Sequence, residues 1–252
     1  MNKKGQVTAF VIIALVVIAL GILVYFFFPQ VQTSFSISSE NPATFIQECM
    51  KDEVKETIQT LSLQGGNLNP KNYYLYEGEK VDYLCYTSEY CAQCVVQQPM
   101  LKQSVENEIK NNIKSKETAC FDEMVEAFES KGYDVTLAEG ETSVELLPKE
   151  VSVIFEKELT LTKGDTETYE RLGVLVSNNL YELVSISNSI LNMEAQYGDA
   201  ETTIYMDYYH HLKVEKKKQG DGTTIYMITN RDTGDKFQFA SRSVDIGSGF
   251  CE

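Results

Sequence analysis

The stretch NPATFIQECMKDEVKETIQTLSLQGG, residues 41–66, decides how the fold begins. Asn41 followed by Pro42 is typical of a helix start, because an Asn side chain caps the first turn and proline fits the first helical position. Apolar residues then recur at helical spacing, and a Gly-Gly pair closes the stretch. The pattern predicts an amphipathic helix of about 22 residues that carries Cys49 on its buried face.

A second helix is predicted to follow Pro99 and to run to about Ser130. Its apolar stripe includes Cys120, and a polar stretch within it allows a break near Ser115. Two neighbouring helices with one inward cysteine each would bring those thiols together. We therefore expect a Cys49–Cys120 disulfide, which stabilises the domain by an amount on the order of 4 kcal/mol in the chain-entropy model.

Beyond residue 132 the apolar residues alternate with period two, which predicts strands. The predicted elements are strands at 135–138, 144–147, 151–161 and 169–176, a helix at 178–197, and a hairpin of strands 223–229 and 236–241. The expected fold class is α+β, with helices packed on an antiparallel sheet in one domain at residues 42–252. A sub-boundary near residue 132 is expected where the pattern changes.

The chain has an even number of cysteines, six, which favours disulfides over free thiols in an exported protein. Besides the helix pair, two disulfides are expected among four of them, with the pairing open. An alternative is a metal site built on Cys85-x5-Cys91-x2-Cys94 and completed by Cys251 or Cys120, since Zn²⁺ takes four such ligands. A second alternative is a redox pair formed by Cys91 and Cys94.

A tyrosine-rich segment at residues 67–98 is predicted to be a long loop held in place by disulfides. Tyrosine offers a large amphipathic contact area at low entropic cost. We therefore predict a contact surface that includes Tyr83, Tyr86 and Tyr90.

Net charge and motif content exclude several functions. A formal charge of -15 disfavours binding to nucleic acid. No phosphate-binding loop, nucleophile elbow or other catalytic motif is present, so no enzyme activity, cofactor or metal is expected. The neighbouring His210 and His211 are the only histidines, and one of them as a metal ligand or general base is a minor alternative. Weak Ca²⁺ binding at Asp221-Gly222 or in the turn at 230–235 is another.

The charge-free segment VTAFVIIALVVIALGILVYFFF, residues 7–28, predicts a transmembrane helix. Its length of about 33 Å matches the hydrocarbon core of a bilayer. Lys3 and Lys4 precede it, which by the positive-inside rule places the N-terminus in the cytoplasm and the domain outside. Residues 29–41 read as a linker. The expected location is the cell membrane, as a single-pass protein.

The residues Lys3-Lys4-Gly5-Gln6-Val7-Thr8, running into the apolar segment, resemble the class III signal sequence of archaeal type IV pilin-like proteins. The resemblance implies cleavage by a prepilin peptidase between Gly5 and Gln6. The family places Glu at the fifth position after the cut, where this chain has Phe10.

The outer domain resembles membrane-anchored proteins of small-genome archaea that have no characterised activity. The residues that carry this likeness are Leu61–Gly66 and Phe237–Arg242. Together these observations predict an extracytoplasmic surface protein with a structural, adhesion or minor pilin-like role. Its expected partners are the membrane, other copies and other surface proteins. The alternative is an extracytoplasmic metal- or thiol-redox protein that uses Cys85, Cys91 and Cys94.

Overall fold

Two long helices pack side by side at the start of the domain. The structure is a computed structural model that describes residues 41–243, and α1 spans Pro42–Leu63 while α2 spans Leu101–Ser130. Two contacts show the relative direction of the helices. Cys49 is bonded to Cys120, whereas Thr57, which comes later in α1, accepts at 2.8 Å from Nδ2 of Asn112, which comes earlier in α2. The helices are therefore antiparallel, and each presents a fully buried apolar stripe to the other elements.

Helix α2 is continuous through Ser115, where the sequence allowed a break. The polar stretch that suggested the break contains Glu117, which is buried and accepts a 2.9 Å hydrogen bond from Thr142 Oγ1. Lys157 Nζ lies 2.7 Å from the same carboxylate. A polar residue inside this helix is thus paired in the interior and does not mark an end of the helix.

The largest sheet has six strands in the order β1-β2-β12-β11-β10, with β3 added beside β2. Its strands are β1 (Tyr73–Tyr76), β2 (Glu79–Tyr86), β3 (Val95–Val96), β10 (Leu212–Lys218), β11 (Thr223–Asn230) and β12 (Lys236–Arg242). Strands β12 and β2 pair in parallel, which makes this sheet mixed. The expectation of a purely antiparallel sheet is therefore corrected.

The segment expected to be a long loop contributes β1, β2 and β3 to that sheet. Tyrosine is common in strands, and a tight turn at Glu77-Gly78, with φ of 50° and 93°, joins the first two. The hairpin was missed because its tyrosines lie close together without a clear alternation of apolar and polar residues.

Two smaller antiparallel sheets each have three strands, in the orders β4-β7-β8 and β5-β6-β9. Their strands are β4 (Asp134–Leu137), β5 (Thr142–Leu147), β6 (Glu150–Phe155), β7 (Leu159–Lys163), β8 (Asp165–Tyr169) and β9 (Leu172–Ser177). The single strand predicted at 151–161 is two strands, one in each sheet. The chain changes sheet beside Gly140, where an added Cβ would lie 1.8 Å from the Glu156 carbonyl oxygen.

Two further helices complete the fold: α3 at Leu180–Tyr197 and the short α4 at Thr203–Tyr208. Helix α3 packs against β11 and β12 of the large sheet and also contacts α2, while α1 packs against β9 and β12. Helices α1 and α3 each contact both the large sheet and the β5-β6-β9 sheet and so join the two. Helix α2 adds an edge-to-face contact with β6, in which the ring centroids of Phe121 and Phe155 lie 5.3 Å apart.

The described residues contain no helix that could be the expected transmembrane helix. Among residues 41–243, no helix has both the length and the apolar character needed to cross a bilayer. The segment 7–28 that carried the prediction lies outside the described residues, as do residues 29–40 and 244–252. The predicted fold class is corrected to an α+β fold with helices on mixed sheets. The prediction of a single-pass membrane protein is not supported by any helix between residues 41 and 243.

Candidate functional site

The cysteines form disulfides, as the sequence indicated. Cys49 and Cys120 are bonded across α1 and α2, the pairing expected from the two helices, and Cys85 is bonded to Cys94. Cys91 is also disulfide-bonded, and Cys251 lies outside the described residues. No cysteine between residues 41 and 243 is free, so none of these sulfur atoms is a thiolate ligand for a metal. Cys94 is bonded to Cys85 and not to Cys91, so the expected redox pair of Cys91 and Cys94 is not formed.

The part of the chain that the structure describes contains no other cluster of metal ligands. There, no group of three or more His, Cys, Asp or Glu side chains is arranged to hold an ion. In the turn at 230–235, which was considered for Ca²⁺, the Asn230 side chain accepts from the turn's own backbone. The Asp235 side chain accepts from the backbone at the start of helix α3.

The predicted tyrosine surface is corrected in part. Tyr83 is only 7% exposed and packs in an apolar cluster with Val81 and Ile225, while its hydroxyl lies 2.8 Å from Thr223 Oγ1. Tyr86 is half-buried and packs its ring edge-on to Tyr83. Of the three predicted tyrosines, Tyr90 has the most exposed side chain, at 75%. The predicted processing site, Gly5 and Gln6, lies outside the described residues.

A cleft of about 740 Å³ lies at one end of helix α3. Four segments form its walls: the β5–β6 turn, the first two turns of α3, the connection from α4 to β10, and the β11–β12 turn. Its lining residues are Pro148, Lys149, Ser177, Asn179, Tyr181, Glu182, Ser185, Ile186, Tyr209, His211, Asn230, Asp232 and Thr233. We refer to this feature as the α3 cleft.

Helix α3 begins at the α3 cleft because two asparagines and one aspartate fix its first turn. Asn178 Oδ1 accepts from the Leu180 backbone N–H at 2.8 Å, as a helix cap does. The Asp235 carboxylate accepts from the Asn179 backbone N–H at 2.9 Å and from Asn178 Nδ2 at 3.0 Å. It also accepts from Asn179 Nδ2 and from Thr233 Oγ1, each at 2.9 Å. One carboxylate thus joins the start of α3 to the β11–β12 turn.

The β11–β12 turn is held by its own first residue. Asn230 Oδ1 accepts from the backbone N–H groups of Asp232 at 2.9 Å and Thr233 at 3.2 Å. Gly234 adopts a φ of 80°, which glycine reaches without steric cost. On the opposite wall, the Asn178 backbone N–H donates to the Lys149 carbonyl at 3.0 Å. The loops of the α3 cleft are therefore tied to one another.

A His–Glu pair closes the remaining side of the α3 cleft. His211 Nε2 lies 2.9 and 3.0 Å from the two carboxylate oxygens of Glu182, on the first turn of α3. Arg231 fixes the histidine segment to the neighbouring turn, because its backbone N–H donates to the His211 carbonyl at 2.8 Å. Its guanidinium donates to the His210 carbonyl at 3.1 Å. The ring of His210 faces the Met206 carbonyl instead, so the two histidines do not act together.

Two partly exposed aromatic rings stand in the lining of the α3 cleft. Tyr181 is 37% exposed and Tyr209 is 43% exposed. The Tyr209 ring packs edge-on to His211, with centroids 6.3 Å apart. Exposed rings fixed beside polar groups offer apolar faces next to hydrogen-bonding atoms, an arrangement typical of small-molecule sites.

The α3 cleft can bind, but it has no nucleophile placed for catalysis. Among the described residues, no hydroxyl or thiol lies within hydrogen-bond distance of His211, and Ser185 Oγ donates to the Tyr181 carbonyl at 2.7 Å. Covalent catalysis needs a nucleophile within hydrogen-bond reach of a base. The groups that line the α3 cleft offer recognition by hydrogen bonds and by aromatic contact.

A second cavity, of about 270 Å³, contains the buried carboxylate of Glu194. Glu194 is 2% exposed and accepts hydrogen bonds from the Tyr226 hydroxyl and, at 2.7 Å, from Ser241 Oγ. Burial raises the pKa of Glu194 above its ordinary value, although both hydrogen bonds act in the opposite direction. Since these partners belong to the sheet, the group anchors α3 to β11 and β12.

Neither the α3 cleft nor the buried Glu194 was predicted from the sequence. A signal for part of the cleft was present, because two asparagines before a helical pattern are typical of an N-cap. Nothing in the sequence indicates that Asp235, more than fifty residues further on, accepts from that cap.

Comparisons with protein-family models, with curated proteins and with solved structures find no match to this chain. Its function must therefore be inferred from the geometry of its own residues.

Proposed function

We propose that this chain is a binding protein with an adhesive or structural role and that the α3 cleft is its ligand site. It is not an enzyme in this proposal. The observation that carries the proposal is the pairing of Tyr181 and Tyr209, both partly exposed, with polar groups that hydrogen bonds already hold in place.

The preformed state of the α3 cleft supports this proposal. Its loops are tied by the Asp235 carboxylate, the Asn230 turn and the contact between His211 and Glu182. A site whose polar groups are fixed before binding loses less conformational entropy when the ligand arrives. Its volume of about 740 Å³ lies within the range of about 300–1,000 Å³ that small-molecule sites occupy.

The disulfides support an adhesive or structural role. Bonds of this kind persist in oxidising surroundings and constrain the unfolded chain. The alternative of a metal- or thiol-redox protein receives no comparable support, because Cys85 and Cys94 are bonded to each other.

A thermal-shift screen with pooled small compounds tests the proposal. The pools hold neutral sugars, blocked amino-acid amides, nucleosides and dicarboxylates. A ligand at ten times its Kd stabilises the folded protein by about 1.4 kcal/mol, which raises Tm by about 4 °C for a chain of this size. We expect at least one pool to raise the Tm of the wild type but not that of Tyr181→Ala.

The matched control is Tyr208→Ala, since Tyr208 is 85% exposed and is not among the residues that line the α3 cleft. This variant should respond to the pools as the wild type does. The proposal is overturned if no pool raises the Tm of the wild type, or if the same pool raises the Tm of all three proteins equally.

A further inference from the structure

We propose that the ligand of the α3 cleft is an uncharged carbohydrate, either a free neutral sugar or the end unit of a neutral glycan. This inference rests on the proposed function and names its ligand class. The aromatic rings, the polar groups and the charge of the cleft support it.

The aromatic rings suit a sugar. A pyranose has an apolar face of C–H groups and a rim of hydroxyls, so it needs a flat apolar surface beside hydrogen-bonding groups. Tyr181 and Tyr209 supply ring surface that is 37% and 43% exposed in the free protein. A tyrosine ring covers apolar area, and its hydroxyl can still bond to water or ligand.

The polar groups suit vicinal hydroxyls, each of which can donate and accept. The Glu182 carboxylate has about four acceptor positions and uses some of them on His211. Asn179 has both its backbone N–H and its Nδ2 engaged with Asp235, and this leaves its amide oxygen as an acceptor in a fixed position. Acceptors that are held by other bonds discriminate strongly against a ligand that lacks the matching donor.

The charge of the α3 cleft favours a neutral ligand. Its lining has one lysine, Lys149, two carboxylates, Glu182 and Asp232, and one histidine. No cluster of cations is present there to hold a phosphate or a carboxylate, which usually takes several charge-assisted bonds. A cationic ligand would compete with His211 for Glu182, since His211 Nε2 already lies within 3.0 Å of both oxygens. The formal charges of Lys149 and Asp232 cancel, and the remaining polar groups are hydroxyls and amides, which pair with hydroxyls at no charge cost.

Isothermal titration with two panels tests this inference on the full chain with its disulfides intact. The first panel is glucose, galactose, mannose, N-acetylglucosamine and disaccharides of these sugars. The second panel is N-acetyl-lysine amide, N-acetyl-arginine amide and glucuronic acid. We expect binding of at least one member of the first panel and weaker or undetectable binding of the second.

Variants locate the binding. Tyr181→Ala and Tyr209→Ala should each raise the Kd of the sugar about tenfold, because each removes an aromatic contact. Glu182→Gln keeps both rings and the side-chain shape and should also weaken binding. Tyr208→Ala should leave the Kd within about twofold of the wild type.

The outcomes separate the ligand class from the proposed function. Binding of a lysine or arginine amide that Tyr181→Ala abolishes, with no binding of any neutral sugar, overturns the carbohydrate inference and leaves the α3 cleft as a binding site. Sugar binding that all variants retain overturns the inference as well, because the sugar then sits elsewhere. Absence of binding in both panels and in the pooled screen overturns both proposals.

Discussion

The helix pair α1–α2 and the α3 cleft are held together by different forces. The helix pair is joined by a covalent bond between Cys49 and Cys120 and by apolar stripes that are fully buried. The cleft has no disulfide among its lining residues and is held by hydrogen bonds around Asp235 and Asn230. Its tyrosines remain partly exposed, whereas the aromatic rings beside the helix pair, such as Phe121, are buried.

We assign stability to the helix pair and recognition to the α3 cleft. Apolar burial and a cross-link that spans a long segment give most of the free energy of folding. Hydrogen bonds add less to stability, because the unfolded chain makes them with water, but they fix geometry. A chain that keeps its stabilising contacts in one region can leave exposed rings and unused acceptors in another. Changes to each region should therefore have distinct effects.

The largest expected effect on stability comes from removing the Cys49–Cys120 disulfide. The bond closes a sequence separation of 71 residues, so Cys49→Ser/Cys120→Ser should lower the free energy of unfolding by about 4 kcal/mol. The matched control is Cys85→Ser/Cys94→Ser, whose bond closes a separation of 9 residues and should cost between about 2 and 3 kcal/mol. Urea unfolding of both pairs of variants measures the difference.

The comparison fails if the order of these two losses is reversed. Equal losses would show that the longer loop adds no stability beyond that of the short one. Ligand binding at the α3 cleft should be unchanged in the Cys85→Ser/Cys94→Ser variant, since neither residue lines it.

A smaller loss of stability, with a large loss of cleft geometry, is expected from Asp235→Asn. The carboxylate accepts four hydrogen bonds, from Asn178 Nδ2, from both nitrogens of Asn179 and from Thr233 Oγ1. An amide in its place would turn its own donors toward some of these donors, at a cost of about 2 kcal/mol. Urea unfolding gives the cost, and amide hydrogen exchange should show faster opening at residues 178–180 and 230–235 than in the wild type.

Asp232→Asn is the control for this prediction. Asp232 lies in the same turn and is exposed, and its carboxylate has no protein partner among residues 41–243. Its substitution should change the free energy of unfolding by less than about 0.5 kcal/mol. If exchange in α1 and α2 rose as much as at residues 230–235, the two regions would not be separable.

The smallest effect is a pH dependence from Glu194, which joins α3 to the large sheet. Burial raises its pKa in the folded protein above the ordinary value of 4.5, so the folded state holds the proton more tightly than the unfolded chain does. The stability from this group is fully present below the unfolded pKa and is lost as the pH rises through the folded pKa. Glu194→Gln removes this dependence.

Urea unfolding of the wild type and of Glu194→Gln at several values between about pH 4 and pH 8 measures the effect. The difference in unfolding free energy should shift in favour of the variant as the pH rises. The contributions of other carboxyls, including Asp82, whose pKa burial also raises, cancel in this difference. A difference that stays constant over the whole range, or that moves the other way, contradicts the prediction.

Much of the helical part of the fold could be predicted from the sequence. Helical spacing located α1 and α2, and inward cysteines on both led to the expected Cys49–Cys120 bond. These are local signals, since each depends on residues within a few turns. The N-terminal anchor was also predicted from a local pattern, and no helix between residues 41 and 243 takes that role.

The sheets and the α3 cleft could not be predicted to the same degree, because they depend on distant segments. The parallel pairing of β2 with β12 joins residues more than 150 positions apart, and no local pattern encodes that register. The cleft likewise combines Lys149, Glu182, His211 and Asp232 from four segments. Tyr83 was predicted to lie on a surface because it belongs to a polar stretch of sequence. Its burial follows from its position on a strand, which that stretch does not reveal.

The measurement that most directly tests the α3 cleft as the ligand site is a ¹H–¹⁵N chemical-shift titration of the full chain with the neutral sugars. The amide signals of Asn179, Tyr181, Glu182, His211 and Thr233 should move together and saturate with one Kd. Shifts centred on the cavity around Glu194, or no shifts near the start of α3 while sugar binding is detected, would contradict this account.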